Sequence, residues 1–246
     1  MDNSQALLAE LNLHGKQLVL NATAVVTTGI KVNYVTGDTI GISYNTIPGN
    51  NPSKNGDMAA IWQNSGEAIP YGLPPLKVVS LTGTTPTGGI TFDKLLVAAL
   101  PYIIGFGVGA ILQGAGQQSY GNICSWVAVP GQAGPYPTFD ASLALVFAGP
   151  NTVAVSYSLP DNCTPQSNGA WLGIWRSGTP SYTAAPLAAV AVNNNASSAT
   201  CAFNNLTIQI GQSYTVGLFM SGYNGGNTPP APNTQTAMAA YVTFTT

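Results

Sequence analysis

Charge is what this sequence has least of. Its 246 residues include six Lys or Arg, eight Asp or Glu and one His, so charged side chains make up 6% of the chain. After residue 136 only Asp140, Asp161 and Arg176 remain. A surface that tracks nucleic-acid phosphates needs clustered Lys and Arg, and six scattered basic residues do not supply one. No nucleic-acid partner is expected. General acid–base chemistry needs a histidine or paired carboxyls with tuned pKa values. The single histidine, His14, lies ahead of the repeated part of the chain, and no HExxH, GxSxG or phosphate-loop pattern occurs. The expectation is a protein that is not an enzyme, with no catalytic residue and no cofactor.

Metal-ligating and redox residues are also scarce. Asp38, Asp57, Asp93 and Asp140 would all have to converge to hold Ca²⁺ through oxygen, and acids at loop edges more often serve as turn residues, so no metal site is expected. Of three cysteines, Cys163 and Cys201 are the pair that falls within one domain. One disulfide that leaves Cys124 buried and free, or three free thiols, both fit. The N-terminus lacks the basic region and long apolar core of a secretory signal, so either the chain is not exported by that route or it is already mature. The one long uncharged run, Leu95–Leu112, meets the nominal length of a membrane span, but Pro101, Gly105, Gly107 and Gly109 suit a helix poorly. Membrane insertion is not expected.

What the sequence does contain is a duplication. Ile42–Trp62 reads ISYNTIPGNNPSKNGDMAAIW and Val155–Trp175 reads VSYSLPDNCTPQSNGAWLGIW, 113 positions apart (43 to 156). In that register Pro52 falls on Pro165, Asn55-Gly56 on Asn168-Gly169, and Ile61-Trp62 on Ile174-Trp175. Upstream, Ile30, Val32 and Tyr34 match Leu143, Leu145 and Phe147, an alternation that predicts the inward face of a strand. Short runs rich in Val, Ile, Thr and aromatics recur between Gly, Pro, Asn and Ser clusters: Ile30–Tyr34, Thr39–Tyr44, Met58–Trp62, Lys77–Leu81, Ile90–Phe92, Tyr102–Val108 and Ile123–Val129. Seven such strands per unit predict an all-β fold. The expected order is an N-terminal helix-plus-strand extension over 1–27, an Ig-like β-sandwich over 28–131, a Pro/Gly linker over 132–137 and a second sandwich over 138–246. By the same plan Trp62 and Trp175 are expected to fill the core between the sheets.

The second copy also carries a resemblance. Val155-Ser-Tyr-Ser, a Pro/Asn loop, Trp171-Leu-Gly-Ile-Trp175, Tyr214–Tyr223 and the final Tyr-Val-Thr-Phe-Thr run are together similar to the Ig-like domains found in front of calcineurin-type phosphoesterases. The first copy matches more weakly, since Met58–Trp62 lacks the motif's first Trp and its Gly. The resemblance implies a β-sandwich and no activity, because the phosphoesterase chemistry of those proteins resides in a separate domain.

Residues 1–27 read as having no copy. Ser4–Leu11 is a candidate amphipathic helix with Ser4 as its N-cap, and Gln17–Val26 has strand composition. That strand either completes the first domain or adds to a neighbouring subunit, which makes Leu18, Leu20, Ala22, Ala24 and Val26 the candidate assembly residues. The functional expectation is a structural protein, extracellular or at a cell surface, that self-assembles into a filament, appendage or ordered layer. A second expectation is a binder of carbohydrate or a host-surface ligand, with Tyr182, Tyr223 and Asn224 as the loop candidates. A third is a membrane-active, toxin-like protein using Leu95–Leu112.

Overall fold

The computed structural model describes residues 22–131, 134–225 and 233–246. The expected helix at Ser4–Leu11, His14, Leu18 and Leu20 lie outside the described residues.

The described chain is almost entirely strand. In order these are β1 (Ala22–Thr27), β2 (Gly29–Val35), β3 (Ile40–Asn45), β4 (Met58–Gln63), β5 (Lys77–Ser80), β6 (Thr87–Phe92), β7 (Tyr102–Gly107), β8 (Ile123–Val129), β9 (Thr138–Asp140), β10 (Ser142–Ala148), β11 (Val153–Ser158), β12 (Trp171–Trp175), β13 (Ala188–Ala191), β14 (Ser198–Phe203), β15 (Ser213–Phe219) and β16 (Met238–Thr245). Single helical turns, α1 (Pro52–Asn55) and α2 (Pro165–Asn168), occupy the same place in each copy. The first sandwich packs the sheet β2-β3-β6 against β5-β4-β7-β8, and the second packs β10-β11-β14 against β13-β12-β15-β16, with all pairings antiparallel. Strands one, two and five of each unit thus face strands three, four, six and seven, the immunoglobulin-like plan in its fibronectin type III form.

Each larger sheet gains a fifth strand, and it comes from the lead-in to the other sandwich. β1 pairs with β16, from Ala22 opposite Phe244 to Thr27 opposite Ala240. β9 pairs with β8, setting Asp140 opposite Ser125 and Thr138 opposite Val127. One residue later the chain enters its own sandwich as β2 or β10. The residues at these crossings, Thr28 and Ala141, are repeat-equivalent and fully buried, and their N–H groups donate to the carbonyls of Ala239 and Cys124. Residues 22–27 therefore do not join the first sandwich; they complete the second sandwich of the same chain. They also have a counterpart, β9, too short to register as a repeat in the sequence. The physical reason for both is that the last strand of each sandwich has an open edge whose backbone groups need partners.

A bulge between Val32 and Tyr34 turns Tyr34 outward, 47% exposed, against the expectation of an inward alternation. The second copy has its shift at the matching place, between Leu145 and Phe147. The apolar run Leu95–Leu112 supplies β7, all six of whose residues are buried, and among the described residues no helix is long and apolar enough to cross a membrane.

One continuous core runs through both sandwiches, from Ile30, Ile42 and Phe106 to Tyr157, Val216 and Phe244. Trp62 and Trp175 are buried, but not there. They point to the opposite, outer faces of their sheets, where two further apolar clusters form around Met58, Trp62 and Trp126 and around Trp171, Trp175 and Phe219. In the second copy a glycine makes room for this. A Cβ on Gly173 would lie 2.7 Å from Trp175 and 3.0 Å from Trp171, so only a bare backbone lets both indoles lie flat on the sheet. The loops after β4 and β12 then fold back over these faces, with Trp62 Nε1 donating to Leu73 O (3.0 Å) and Trp175 Nε1 to Ala184 O (2.9 Å). The larger sheets are thus covered on both sides.

Candidate functional site: the junction of the two sandwiches

The loops that end β3 and β11 and those that end β7 and β15 meet where the sandwiches join. In the first copy Asn51 caps α1 by accepting from Lys54 N (3.1 Å), and Gly56 closes the turn at φ 84°, a left-handed conformation suited to glycine. This delivers Asp57 into the interior with no exposure. Its carboxylate accepts from Gly109 N (2.7 Å) and Asn50 Nδ2 (2.7 Å), and Asn50 in turn accepts from Asn55 Nδ2 (2.6 Å). Burial pushes the Asp57 pKa up to about 6, while the bonds from Gly109 and Asn50 hold it down. Asn122 closes the neck of the next loop by donating to the carbonyls of Val108, Gly109 and Ala110. Gly109 is one place where the first sandwich closely approaches the second: a Cβ there would come 3.0 Å from that of Ala237.

The reciprocal contact uses Asn168, the repeat partner of Asn55, and it crosses between sandwiches. Asn168 Oδ1 accepts from Gln118 N (3.0 Å), and Asn168 Nδ2 donates to Gly121 O (3.3 Å). Gln118 returns the contact through Nε2 to Asn162 O (2.8 Å) and accepts from Thr164 N (3.0 Å). Gly121 admits the amide because a Cβ there would stand 2.2 Å from Asn168 Nδ2. Each covering loop also sends a tyrosine inward. The Tyr71 phenol is buried beside the Cys163 thiol, and burial raises the pKa of both, the thiol to about 12. Burial raises that of Tyr182 too, with the Asp57 charge adding to it.

The structure disperses the other expected site residues. Ala22, Ala24 and Val26 lie in β1 against β16, with Val26 packed on the Trp171 cluster. Tyr182 and Tyr223 are half-buried on that same cluster, and the Tyr223 N–H donates to Gly169 O (3.0 Å), so they do not form an exposed platform. Asn224 is exposed, and its N–H donates to Asn233 Oδ1 (2.7 Å). The four aspartates stand apart: Asp38 accepts from Thr36 and Thr39, Asp93 pairs with Lys77, Asp140 accepts from Ser125, and Asp57 is enclosed. Among the described residues no three His, Cys, Asp or Glu converge. All three thiols are free, Cys124 and Cys163 buried and Cys201 partly so. The junction residues Gln118, Asn168 and Asn122 were not foreseen. The signal available for one of them was the repeated Asn-Gly, which marks the end of a helical turn in both copies.

No protein-family model and no curated protein sequence matches the chain. Among solved structures it is similar to the FN1–FN3 domains of chicken CNTN1, at 13% identity and a TM-score of 0.23, covering 87% of this chain and 64% of that one. It is also similar to a DUF3823 family protein from Bacteroides uniformis, at 10% identity and a TM-score of 0.30, covering 88% and 96%. The chain spans less than two thirds of the CNTN1 structure. Strand order assigns the architecture: tandem fibronectin-type β-sandwiches that exchange their leading strands.

Proposed function

We propose that the chain is a non-catalytic structural subunit that associates with copies of itself, outside the cell or at its surface, into a filament, appendage or layer. The observation that carries this reading is the strand exchange, which joins two sandwiches into one block with a shared core and starts β1 at the end of β16 away from the first sandwich. The buried polar groups serve cohesion: Asp57 and Asn168 hold loops, and the Cys124 and Cys163 thiols are enclosed. A second sandwich nearly devoid of charge suits close packing against neighbours, since charge is what keeps surfaces apart in solution. The likeness to the Ig-like modules that precede calcineurin-type phosphoesterases supports a non-catalytic part as well. Negative-stain microscopy with light scattering tests it. Ordered polymers that disappear when residues 1–21 are deleted support the reading, and a full chain that stays monomeric at high concentration contradicts it.

The carbohydrate reading keeps one specific observation. A groove of about 530 Å³ beside Tyr120, lined also by Tyr71, Leu73 and Ile111, offers aromatic and apolar walls between two loops of the first sandwich. Glycan binding lost in Tyr120→Ala would favour it. The membrane-active reading requires β7 to leave the core in which all of its residues are buried.

A further inference from the structure

The two sandwiches differ at one edge. β5 and β6 are the terminal strands of the two facing sheets on one side of the first sandwich, so each has an unpaired backbone edge. Between them lies a cavity of about 450 Å³, with Tyr44, Val79, Leu81 and Ile90 among its lining residues. In the second sandwich the equivalent strands β13 and β14 pack against one another. Exposed edges are normally blunted by charge, proline or a bulge. β6, with the sequence Thr-Gly-Gly-Ile-Thr-Phe, has no charge or proline and pairs with β3 in unbroken register. One salt bridge, Lys77 Nζ to Asp93 Oδ1 at 2.7 Å, spans one end of the cleft, and an exposed pair of this kind is easily displaced.

We infer that this cleft accepts residues 17–21 of a second copy as an added strand. The inference rests on the self-association proposed above and names its acceptor. β1 begins with Ala22 opposite Phe244, at the end of β16 away from the first sandwich, whereas Thr27 and Thr28 lie at the end that joins it. Gln17-Leu-Val-Leu-Asn21 precedes Ala22 directly and reaches about 17 Å when extended. β1 runs about 20 Å along β16, away from the first sandwich, before Ala22 is reached, which favours the cleft of a second copy over the chain's own. It is uncharged, and Leu18 and Leu20 share one face of an extended strand, the face that Leu81 and Ile90 would receive. Far end into near edge is a head-to-tail contact, which does not close and therefore propagates.

The test mixes two single variants, Val19→Cys and Gly89→Cys, which fall on the same outer face of the paired strands, and treats them with a short bis-maleimide. At Gly89 a Cβ meets only Ile42 O at 3.4 Å, so the cysteine is accommodated. The mixture is expected to give a linked heterodimer several-fold above the background that either variant or the wild type gives alone. Hydrogen exchange of the β6 amides in the wild type is expected to slow about tenfold as the protein concentration is raised. Background-level linking and concentration-independent exchange overturn the inference. If polymers are still seen, the assembly uses another acceptor; if none are seen, the self-association reading fails with it.

Discussion

The Ser125 hydroxyl donates to the Asp140 carboxylate across 2.6 Å, fastening the strand that leads into the second sandwich to the last strand of the first. Ser125 is fully buried, and Asp140, raised by burial, is held down by this bond. Removing the hydroxyl strands a partly enclosed carboxylate, which costs about 1–2 kcal/mol. Ser125→Ala should therefore lower the urea midpoint and move the Asp140 titration to higher pH in a carboxyl NMR titration. An unmoved titration would show that the bond does not form.

Asp57 makes stability depend on pH in an uncommon direction. Its folded pKa is about 6 against an ordinary 3.8, so the folded state holds the proton more tightly than the unfolded chain does. The stability linked to it is fully present below pH 3.8 and is lost as pH rises through 6. The difference corresponds to about 3 kcal/mol between acid and neutral solution, with Asp140 acting in the same sense. Urea unfolding of wild type and Asp57→Asn at pH 4 to 7.5 should show the wild type losing stability relative to the variant across this range. A constant difference between the two would refute the assignment.

The flat seat of Trp175 is open to a one-carbon test. Gly173→Ala places a methyl 2.7 Å from Trp175 Cη2 with Trp171 on its other side, and such overpacking costs about 1–3 kcal/mol. Lower thermal stability should accompany a red shift in tryptophan emission as an indole lifts toward solvent. An unchanged spectrum would mean that the indoles do not lie on the glycine floor.

Contacts across the junction concentrate in one side chain. Gln118→Ala deletes the bonds from Thr164 N and Asn168 Nδ2 and the one to Asn162 O, while leaving each sandwich core intact. Faster amide exchange at Thr164, with the exchange of β11 unaffected, is the expected outcome. Uniform acceleration would place the effect on global stability instead.

The strands and their duplication were legible because alternating Ile, Val and aromatic residues between Gly and Pro clusters are local signals, and most predicted runs fall within a residue or two of the observed ones. What was not legible depended on contacts remote in the chain. Val25 and Val26 read as strand, but nothing nearby says that Tyr241 and Val242 will be their partners. β9, three residues long, carries no pattern at all. Tyr34 turned outward because a bulge broke a sound alternation. Trp62 and Trp175 were rightly read as buried and assigned to the wrong face, since the sandwich plan usually puts a tryptophan inside and the outer faces become apolar seats only once the covering loops are in place.

The exchange itself is most directly tested by a paired substitution, Ala24→Cys with Thr243→Cys, at positions opposite one another in β1 and β16. Oxidised at low concentration and examined by non-reducing electrophoresis and peptide mapping, the chain should form a disulfide between residues 24 and 243 within a single monomer. Absence of that bond, or its formation only between chains, would contradict the intrachain exchange on which the account depends.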